Sequence, residues 1–213
     1  HLLQRVDWRR DCHFHTETTI DTLDYSGGGL NNGSKLVVAA RGQSVRELPE
    51  EVSGSTNLPD GFSKPFVCMP GILAVSGPPI EPRPSLDVMD ENAIWHSTKH
   101  AHWTHDIQRF THAINQQDDM LKWPLIVIAD DSAFTASTLE NLLWITFTRS
   151  NPATDVHGVR ETIHQKHWGC AGPLVIDARL KPHHAPPVEE NPAVVAKIDS
   201  LCRRGGPLAG IIE

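Results

Sequence analysis

Short apolar runs separated by polar and turn-forming residues predict a series of β-strands. The clearest is Leu125–Ala129, five apolar residues in succession, which is typical of a parallel strand that is buried on both faces. Weaker runs predict further strands at 35–41, 65–69, 71–75 and 174–176. Pro70 either breaks one buried strand or separates two short ones.

Apolar residues at helical spacing alternate with these strands. The pattern predicts partly helical structure over 86–115, with Ile107, Phe110 and Ile114 on one face, and a short helix within 44–51. A helix after Ala129, with Ser137 and Glu140 in capping-box spacing, is expected to bury Leu139, Leu142, Leu143 and Phe147. A last helix begins after Asn191 and is expected to turn Val194, Val195, Ile198 and Leu201 toward the core.

This alternation predicts the α/β class, with a layered mixed sheet and flanking helices. We expect an α/β domain over 65–213, preceded by a β-rich, loop-rich segment over 1–64. No internal repeat is evident. The chain does not begin with Met, so we expect a piece of a longer polypeptide or a trimmed N-terminus; a processed mature protein is the alternative.

Composition narrows the range of partners. The net charge of −7 over 213 residues argues against nucleic-acid binding, and no apolar run reaches the ~20 residues needed to span a membrane. The four cysteines, Cys12, Cys68, Cys170 and Cys202, are scattered without a Cys-x-x-Cys pair. Reduced thiols in a cytoplasmic protein are the expected state.

The densest polar stretch flanks the strand at 174–176. Lys166, His167 and Trp168 precede it, and a second group follows it: Asp177, Arg179, Lys181, His183 and His184. Open α/β sheets bind ligands beyond the carboxyl ends of their strands. We therefore take Asp177, Lys181, His183 and His184 as candidates for a substrate cleft; the equal alternative is that they are solvated polar side chains that bind no ligand.

Metal binding is a weaker hypothesis drawn from the thirteen histidines. His96 and His100 share a helix face at i, i+4 spacing, and His13 and His15 share a strand face with Glu17 two residues further on. A solvated helix or strand face is the favoured interpretation of both groups. The Gly27–Gly29 run precedes a strand, so it lacks the context of a phosphate-binding loop. Asp130 and Asp131 follow a strand, where a role at a helix N-terminus is favoured over ligand binding.

Several segments together resemble a known family. From about Trp123 onward the matching pieces are Leu125–Asp131, Leu142–Trp144, Thr148–Asp155, Asp177–Ala178 with Lys181, and Asn191–Asp199. In their order and spacing they resemble the C-terminal region of UbiD-type decarboxylases, which use prenylated FMN. Earlier pieces resemble the aryl carboxylase branch that includes phenylphosphate carboxylase: Arg5–Trp8, Thr18–Ser26 and Gly33–Lys35.

The resemblance implies a division of labour. In the family, prenylated FMN, its divalent metal (Mn), a catalytic Arg and paired acids belong to an N-terminal flavin domain, while the C-terminal region makes oligomer contacts and closes over the active site. The family's Glu-Gly-Pro-Phe-Gly-Asp/Glu motif is absent here, so no catalytic residue is assigned in this chain. The chain alone is expected to bind no flavin and to be inactive.

The functional prediction is therefore a C-terminal part or subunit of a UbiD-like (de)carboxylase of aromatic or unsaturated acids. Its expected partners are the flavin-binding domain or catalytic subunit, within a homo- or hetero-oligomer. One alternative is a non-catalytic assembly or regulatory module of the same fold. A metal-binding protein built on the histidine groups is the third.

Overall fold

The computed structural model describes residues 1–20, 33–54, 56–80, 101–182, 184 and 191–210, with the side chains of 101–103 excepted. The described strands are β1 Cys12–Thr18, β2 Gly33–Val38, β3 Ser63–Met69, β4 Ile72–Ser76, β5 Leu125–Ala129, β6 Val156–Gly158, β7 Glu161–His164, β8 His167–Cys170 and β9 Leu174–Asp177. The described helices are α1 Leu2–Arg5, α2 Ala101–Ile114, α3 Asp118–Leu121, α4 Ser132–Ser137, α5 Leu139–Thr148, α6 Pro152–Asp155 and α7 Pro192–Cys202.

A five-stranded mixed sheet forms the centre of the fold, in the order β3-β4-β5-β9-β6. The three inner strands run parallel, and the outer strands pair antiparallel to them. This confirms the predicted α/β class and the central place of Leu125–Ala129. The run around Pro70 forms two strands, which Pro70 and Gly71 join with a positive φ of 81° at the glycine.

Apolar side chains cover both faces of this sheet. On one face, Ile107, Phe110 and Ile114 of α2 pack against strands β4 and β5, as their spacing predicts. On the other face, Leu142 and Ile145 of α5 pack against β5. The layers are therefore helix, sheet and helix.

The α4–α5 region departs from the predicted single helix. Asp131 caps α4, its Oδ1 accepting from the amides of Ala133 at 3.0 Å and Phe134 at 3.1 Å. Thr138, not Ser137, caps α5. Of the predicted buried stripe only Leu142 is buried, and Leu139, Leu143 and Phe147 are exposed.

Two further helix predictions need correction. Residues 44–51 form no helix, because their backbone bonds to distant segments: the amide of Val45 donates to Gln4 O, and Pro49 O accepts from the amide of Gly71. Helix α7 is capped by Asn191 as predicted, but it contains no buried residue. Its apolar positions therefore do not face the described core.

An N-terminal unit packs against one end of the central sheet. The β1–β2 hairpin, with Val6 and Trp8, shares an apolar cluster with Cys170 and Leu174. Trp8 Nε1 donates to Pro124 O at 2.7 Å in a buried hydrogen bond. None of the described helices combines the length and apolarity that a membrane crossing requires.

Candidate functional site: a closed ion network and an open cleft

The polar residues that follow β9 fold back into the protein. Asp177 is buried at the end of the strand, and the guanidinium of Arg179, which is fully buried, donates to it from Nε and Nη2 at 2.9 Å each. Arg179 also donates to Pro78 O at 2.8 Å and to Asp106 Oδ2 at 3.2 Å. These contacts join the end of β9 to the segment after β4 and to α2.

Lys181 lies in the same buried network. Its Nζ donates to the carbonyl oxygens of Arg149 at 2.9 Å, Asp177 at 2.8 Å and Arg179 at 3.3 Å. It also forms an ion pair with Asp155 at 3.3 Å, and the two side chains are 2% and 5% exposed. A lysine with this set of acceptors has no donor left for an external ligand.

Burial and charge act in opposite directions on the two carboxylates of this network. Burial acts to raise the pKa of Asp177, but the hydrogen bonds from Arg179 and the charges of Lys181 and Arg179 outweigh it and hold this pKa below its ordinary value. Burial raises the pKa of Asp155, and the charge of Lys181 offsets only part of that effect. Asp177 is therefore the firmly ionised member of the network.

The structure thus brings together three of the four predicted cleft residues. Asp177 and Lys181 are bonded internally, and His184 Nδ1 accepts from the backbone amide of Lys181 at 3.1 Å. His183 lies outside the described residues. A contact between these residues and a substrate stays a prediction, and in this conformation it would require the network to open.

An open cleft lies elsewhere, between β1 and β8, and we call it the β1–β8 cleft. Its volume is about 580 Å³. The lining consists of Cys12, His13, Phe14, His15, Thr16, Pro152, Ala153, Val156, Lys166, His167 and Trp168.

Aromatic and basic side chains dominate the β1–β8 cleft. The rings of His13 and His167 lie 5.6 Å apart, and those of Phe14 and Trp168 meet edge to face at 5.3 Å. Nε2 of His167 is buried without a hydrogen-bond partner in the described part of the chain. The described lining contains Lys166 and no carboxylate. This combination suits an anionic ligand with a planar apolar body.

The turn between β7 and β8 places Lys166 at the cleft. Gln165 and Lys166 have φ values of 49° and 66°, the left-handed conformation that a two-residue hairpin turn of this type requires. That conformation is costly for residues other than Gly, Asn and Asp. Strained backbone of this kind is frequent at functional sites, and here it occurs at a lysine that lines the cleft.

Residues from both sides of this cleft stand out in the sequence, but the sequence does not join them into one site. His13 and His15 were predicted on one strand face, and they do lie on β1 at the cleft. A bulge after His15, with φ of 54° at Glu17, breaks the two-residue alternation, so Glu17 does not continue that face. The proximity of Lys166–Trp168, about 150 positions later, carried no sequence signal.

The histidine groups are the candidate metal ligands of this chain. Among the described residues, no group of three His, Cys, Asp or Glu side chains is placed to hold a metal ion. His96 and His100 lie outside the described residues, as does the Gly27–Gly29 run. A metal role for His13 and His15 stays a prediction. That prenylated FMN and its metal lie on another polypeptide segment likewise stays a prediction.

Three of the cysteines are poor nucleophiles. Burial raises the pKa of Cys12 and Cys170 to about 12 and that of Cys68 to about 11. Because the thiolate is the reactive form, these thiols stay protonated and unreactive at neutral pH.

The amino-acid sequence is similar to that of known proteins. Residues 1–40 match the family of the 3-octaprenyl-4-hydroxybenzoate carboxy-lyase C-terminal domain, the UbiD C-terminal domain. The chain is 30% identical over 199 residues to an uncharacterised protein of Chlamydia trachomatis. It is also 30% identical over 197 residues to a Chlamydia pneumoniae protein that is named as one of the subunits of 4-hydroxybenzoate decarboxylase.

These alignments cover 93% and 92% of this chain. The chain spans 29% of the length of each relative. The comparisons relate the chain to the UbiD C-terminal domain family and do not distinguish the aryl carboxylase branch, which stays a prediction. The family match falls on the N-terminal unit, whereas the resemblance in sequence was strongest after Trp123.

Proposed function

We propose that this chain is the C-terminal part of a UbiD-like (de)carboxylase of aromatic or unsaturated acids. In this proposal it makes contacts within the assembled enzyme, and its β1–β8 cleft forms one wall of the substrate site. The similarity along 92% of the chain to a protein named as part of a decarboxylase supports the family of reaction. A decarboxylase needs partners for the substrate carboxylate and for its planar body, and the cleft offers both.

The observation that carries the assembly role is an apolar face on α4 and α5. Leu139, Leu143 and Phe147 follow one another at i, i+4 spacing on α5, Trp144 is next to Leu143 in sequence, and Phe134 is exposed on the preceding helix α4. Trp144 and Phe147 are 65% and 66% exposed. Single exposed apolar residues are common, but five large ones on two consecutive helices are typical of a surface that is covered by another domain or another chain.

Native mass spectrometry of the full-length enzyme tests the assembly role. We expect Trp144→Glu with Phe147→Glu to dissociate the enzyme into smaller species, because two carboxylates would be buried in an apolar contact. The matched control is Ile163→Glu, since Ile163 is 75% exposed and lies on β7, which is not part of this face. A double variant that keeps the native mass of the assembly would refute the role.

The substrate role has a separate readout. Lys166 and His167 are expected to attract the carboxylate of an aryl acid, and Trp168 to contact its ring. We expect Lys166→Met to raise the KM for carboxyl-labelled 4-hydroxybenzoate, measured as release of labelled CO₂, by about tenfold, because one charge-assisted hydrogen bond is lost. Lys35→Met, on neighbouring β2 but outside the cleft, is the control. An unchanged KM in Lys166→Met would exclude the cleft as the carboxylate site.

The non-catalytic alternative makes a distinct prediction. If the chain served assembly alone, the apolar-face variants would dissociate the enzyme, whereas cleft variants would leave KM unchanged. The two sets of variants therefore separate the roles.

A further inference from the structure

Two antiparallel strand pairs of this chain have the same pattern of paired residues. In the first, Cys12, His13 and Phe14 of β1 pair with Val38, Val37 and Leu36 of β2. In the second, Val156, His157 and Gly158 of β6 pair with Ile176, Val175 and Leu174 of β9. The offset is constant along each strand: 156 − 12 = 144 for the first strands and 176 − 38 = 138 for the second.

The turns that precede the two strand pairs form corresponding hydrogen bonds. The amide of Asp7 donates to Asp11 Oδ2 at 2.9 Å, and that of Asn151 donates to Asp155 Oδ2 at 2.7 Å. The amide of Asp11 donates to Asp7 O at 2.9 Å, and that of Asp155 to Asn151 O at 2.8 Å. The amide of Arg9 donates to Asp7 Oδ1 at 3.1 Å, and the amide of Ala153 donates to Asn151 Oδ1 at 3.1 Å.

Aligned in this way, the sequences agree as well. Leu36-Val-Val-Ala-Ala-Arg41 corresponds to Leu174-Val-Ile-Asp-Ala-Arg179. Asp11-Cys-His13 corresponds to Asp155-Val-His157, and Arg5 corresponds to Arg149. The expectation of no internal repeat is therefore wrong. The shared positions are few and are split by connections of different sequence, which hides them from a scan for a continuous repeat.

We call the pair β1–β2 with its leading turn the first copy, and the pair β6–β9 with its leading turn the second copy. The two differ in what lies on the outer edge of their second strand, β2 or β9. Strand β9 lies between β6 and β5, and its edge is bonded to β5: the amide of Leu174 donates to Pro124 O at 3.0 Å and that of Ala178 to Ile128 O at 2.8 Å. Strand β2 has β1 on one side and, in the described part of the chain, no strand on the other.

The backbone of β2 is aligned for the same contact. The amide of Ala39 donates to Asp11 O, toward β1, so by alternation the amides of Leu36, Val38 and Ala40 point to the outer edge. Leu36 and Ala40 are the residues that correspond to Leu174 and Ala178. Val37 is 47% exposed, whereas the corresponding Val175 is fully buried.

We propose that the outer edge of β2 binds an apolar, parallel β-strand in the way that β9 binds β5. The occupant is a strand of the full-length protein that lies upstream of residue 1. In the second copy β5 ends 20 residues before Arg149 (149 − 129 = 20), whereas only four residues of this chain precede Arg5, so the corresponding strand lies before residue 1. The relatives have the length to supply it, since this chain spans only 29% of each.

This arrangement explains why the family match ends where it does. The match covers residues 1–40, which are the first copy alone. The first copy then completes a sheet begun upstream, and residues from β3 to β9 build a second sheet of the same design beside it. The inference concerns assembly, and it stands or falls independently of the decarboxylase reaction.

Amide hydrogen exchange of the 213-residue chain and of the full-length protein tests the proposal. In the full-length protein we expect the amides of Leu36, Val38 and Ala40 to exchange at least about 100-fold more slowly than in the shorter chain, because they gain acceptors on the new strand. The amides of Val37 and Ala39, which face β1, are the internal controls and should change little. Equal exchange rates of the three edge amides in both proteins would overturn the proposal.

A variant gives a second, independent readout. Val37→Asp is expected to lower the thermal stability of the full-length protein and to leave that of the 213-residue chain nearly unchanged. Val45→Asp is the control, since Val45 is 62% exposed and lies outside every strand. Another molecule of this chain is the competing occupant of the β2 edge. Concentration-dependent protection of the edge amides in the 213-residue chain, with matching dimer formation, would overturn the upstream strand in its favour.

Discussion

Replacing Lys181 with Met tests whether this residue belongs to the buried network. The substitution keeps the length of the aliphatic chain and removes the charge. It leaves the Asp155 carboxylate, 5% exposed, without its cation, and it leaves the carbonyls of Arg149, Asp177 and Arg179 without their shared donor. Removing one partner of a buried ion pair costs about 3–5 kcal/mol of unfolding free energy.

The loss should depend on pH with a defined sign. Burial already raises the pKa of Asp155, and without Lys181 it rises further. A carboxyl group whose pKa is higher in the folded state favours folding below its unfolded pKa, and this contribution is lost as pH rises through the folded value. The deficit of Lys181→Met should therefore be larger near about pH 7.5 than near about pH 4.5.

Urea unfolding followed by tryptophan fluorescence at these two pH values measures the effect. Lys122→Met is the matched control, because Lys122 pairs with Asp119 at 2.7 Å but its side chain is 65% exposed, and exposed pairs contribute little. If Lys181→Met unfolds at the same urea concentration as the control, the amine of Lys181 does not lie in the network. Its assignment as a cleft residue would then be favoured.

Three further perturbations have defined outcomes. Gly169→Ala should lower stability by about 1–3 kcal/mol in thermal unfolding, because the added Cβ would lie 2.7 Å from Cα of Arg9, whereas Gly54→Ala meets nothing within 4 Å and should be neutral. Lys166→Gly should raise stability by about 1 kcal/mol, because φ is positive there, while it raises the KM for the aryl acid. Cys170 should resist a thiol-disulfide reagent at about pH 8 until the protein unfolds, since its pKa is about 12, and rapid labelling of the native protein would contradict this.

The central part of the fold could be predicted because its signals are local. Leu125–Ala129 is apolar throughout, as a strand buried on both faces must be, and Ile107, Phe110 and Ile114 mark one helix face unambiguously. Residues 44–51 were mispredicted because their backbone partners, such as Gln4, are distant in sequence. Local propensity cannot report such partners.

Helix α5 shows why the buried face was assigned wrongly. It carries apolar residues on two faces, and periodicity alone does not tell which of them meets the sheet. Leu142 and Ile145 pack inward, and the stripe that includes Leu143 and Phe147 is left to solvent. An apolar face of this kind is informative only after the core is known.

The candidate sites were predictable to a different extent. The sequence places Asp177 and Lys181 after the same strand, and they do lie together. It could not show that Lys181 turns inward, since that depends on Asp155, which lies 26 positions earlier (181 − 155 = 26) on α6. The β1–β8 cleft exists only because β1 and β8 come together in the folded chain, and local sequence does not reveal that contact.

The two strand pairs differ in the environment of the arginine that follows the second strand. Arg41 and Arg179 occupy corresponding positions, but Arg41 is exposed and Arg179 is fully buried. Asp177 holds the guanidinium of Arg179, and Ala39 stands at the corresponding position in the first copy. A buried guanidinium without a counter-ion costs several kcal/mol. A strand that covers β2 must therefore leave Arg41 in contact with water or provide a carboxylate for it.

The second copy also indicates a carboxylate partner for a different arginine of the first copy, Arg5. Asp130, directly after β5, pairs with Arg149 at 2.9 Å and accepts from the amide of Leu180 at 2.8 Å. In the first copy Arg5 corresponds to Arg149, and its Nε donates to the carbonyl of Gly42 at 3.0 Å, while no acid pairs with it in the described part of the chain. Because Arg5 and Arg149 correspond in the alignment, we expect the strand that binds β2 to end in an acidic residue that pairs with Arg5. The upstream sequence of the full-length protein checks this directly: an apolar run followed by Asp or Glu supports the pairing, and an apolar run followed by Lys or Arg contradicts it.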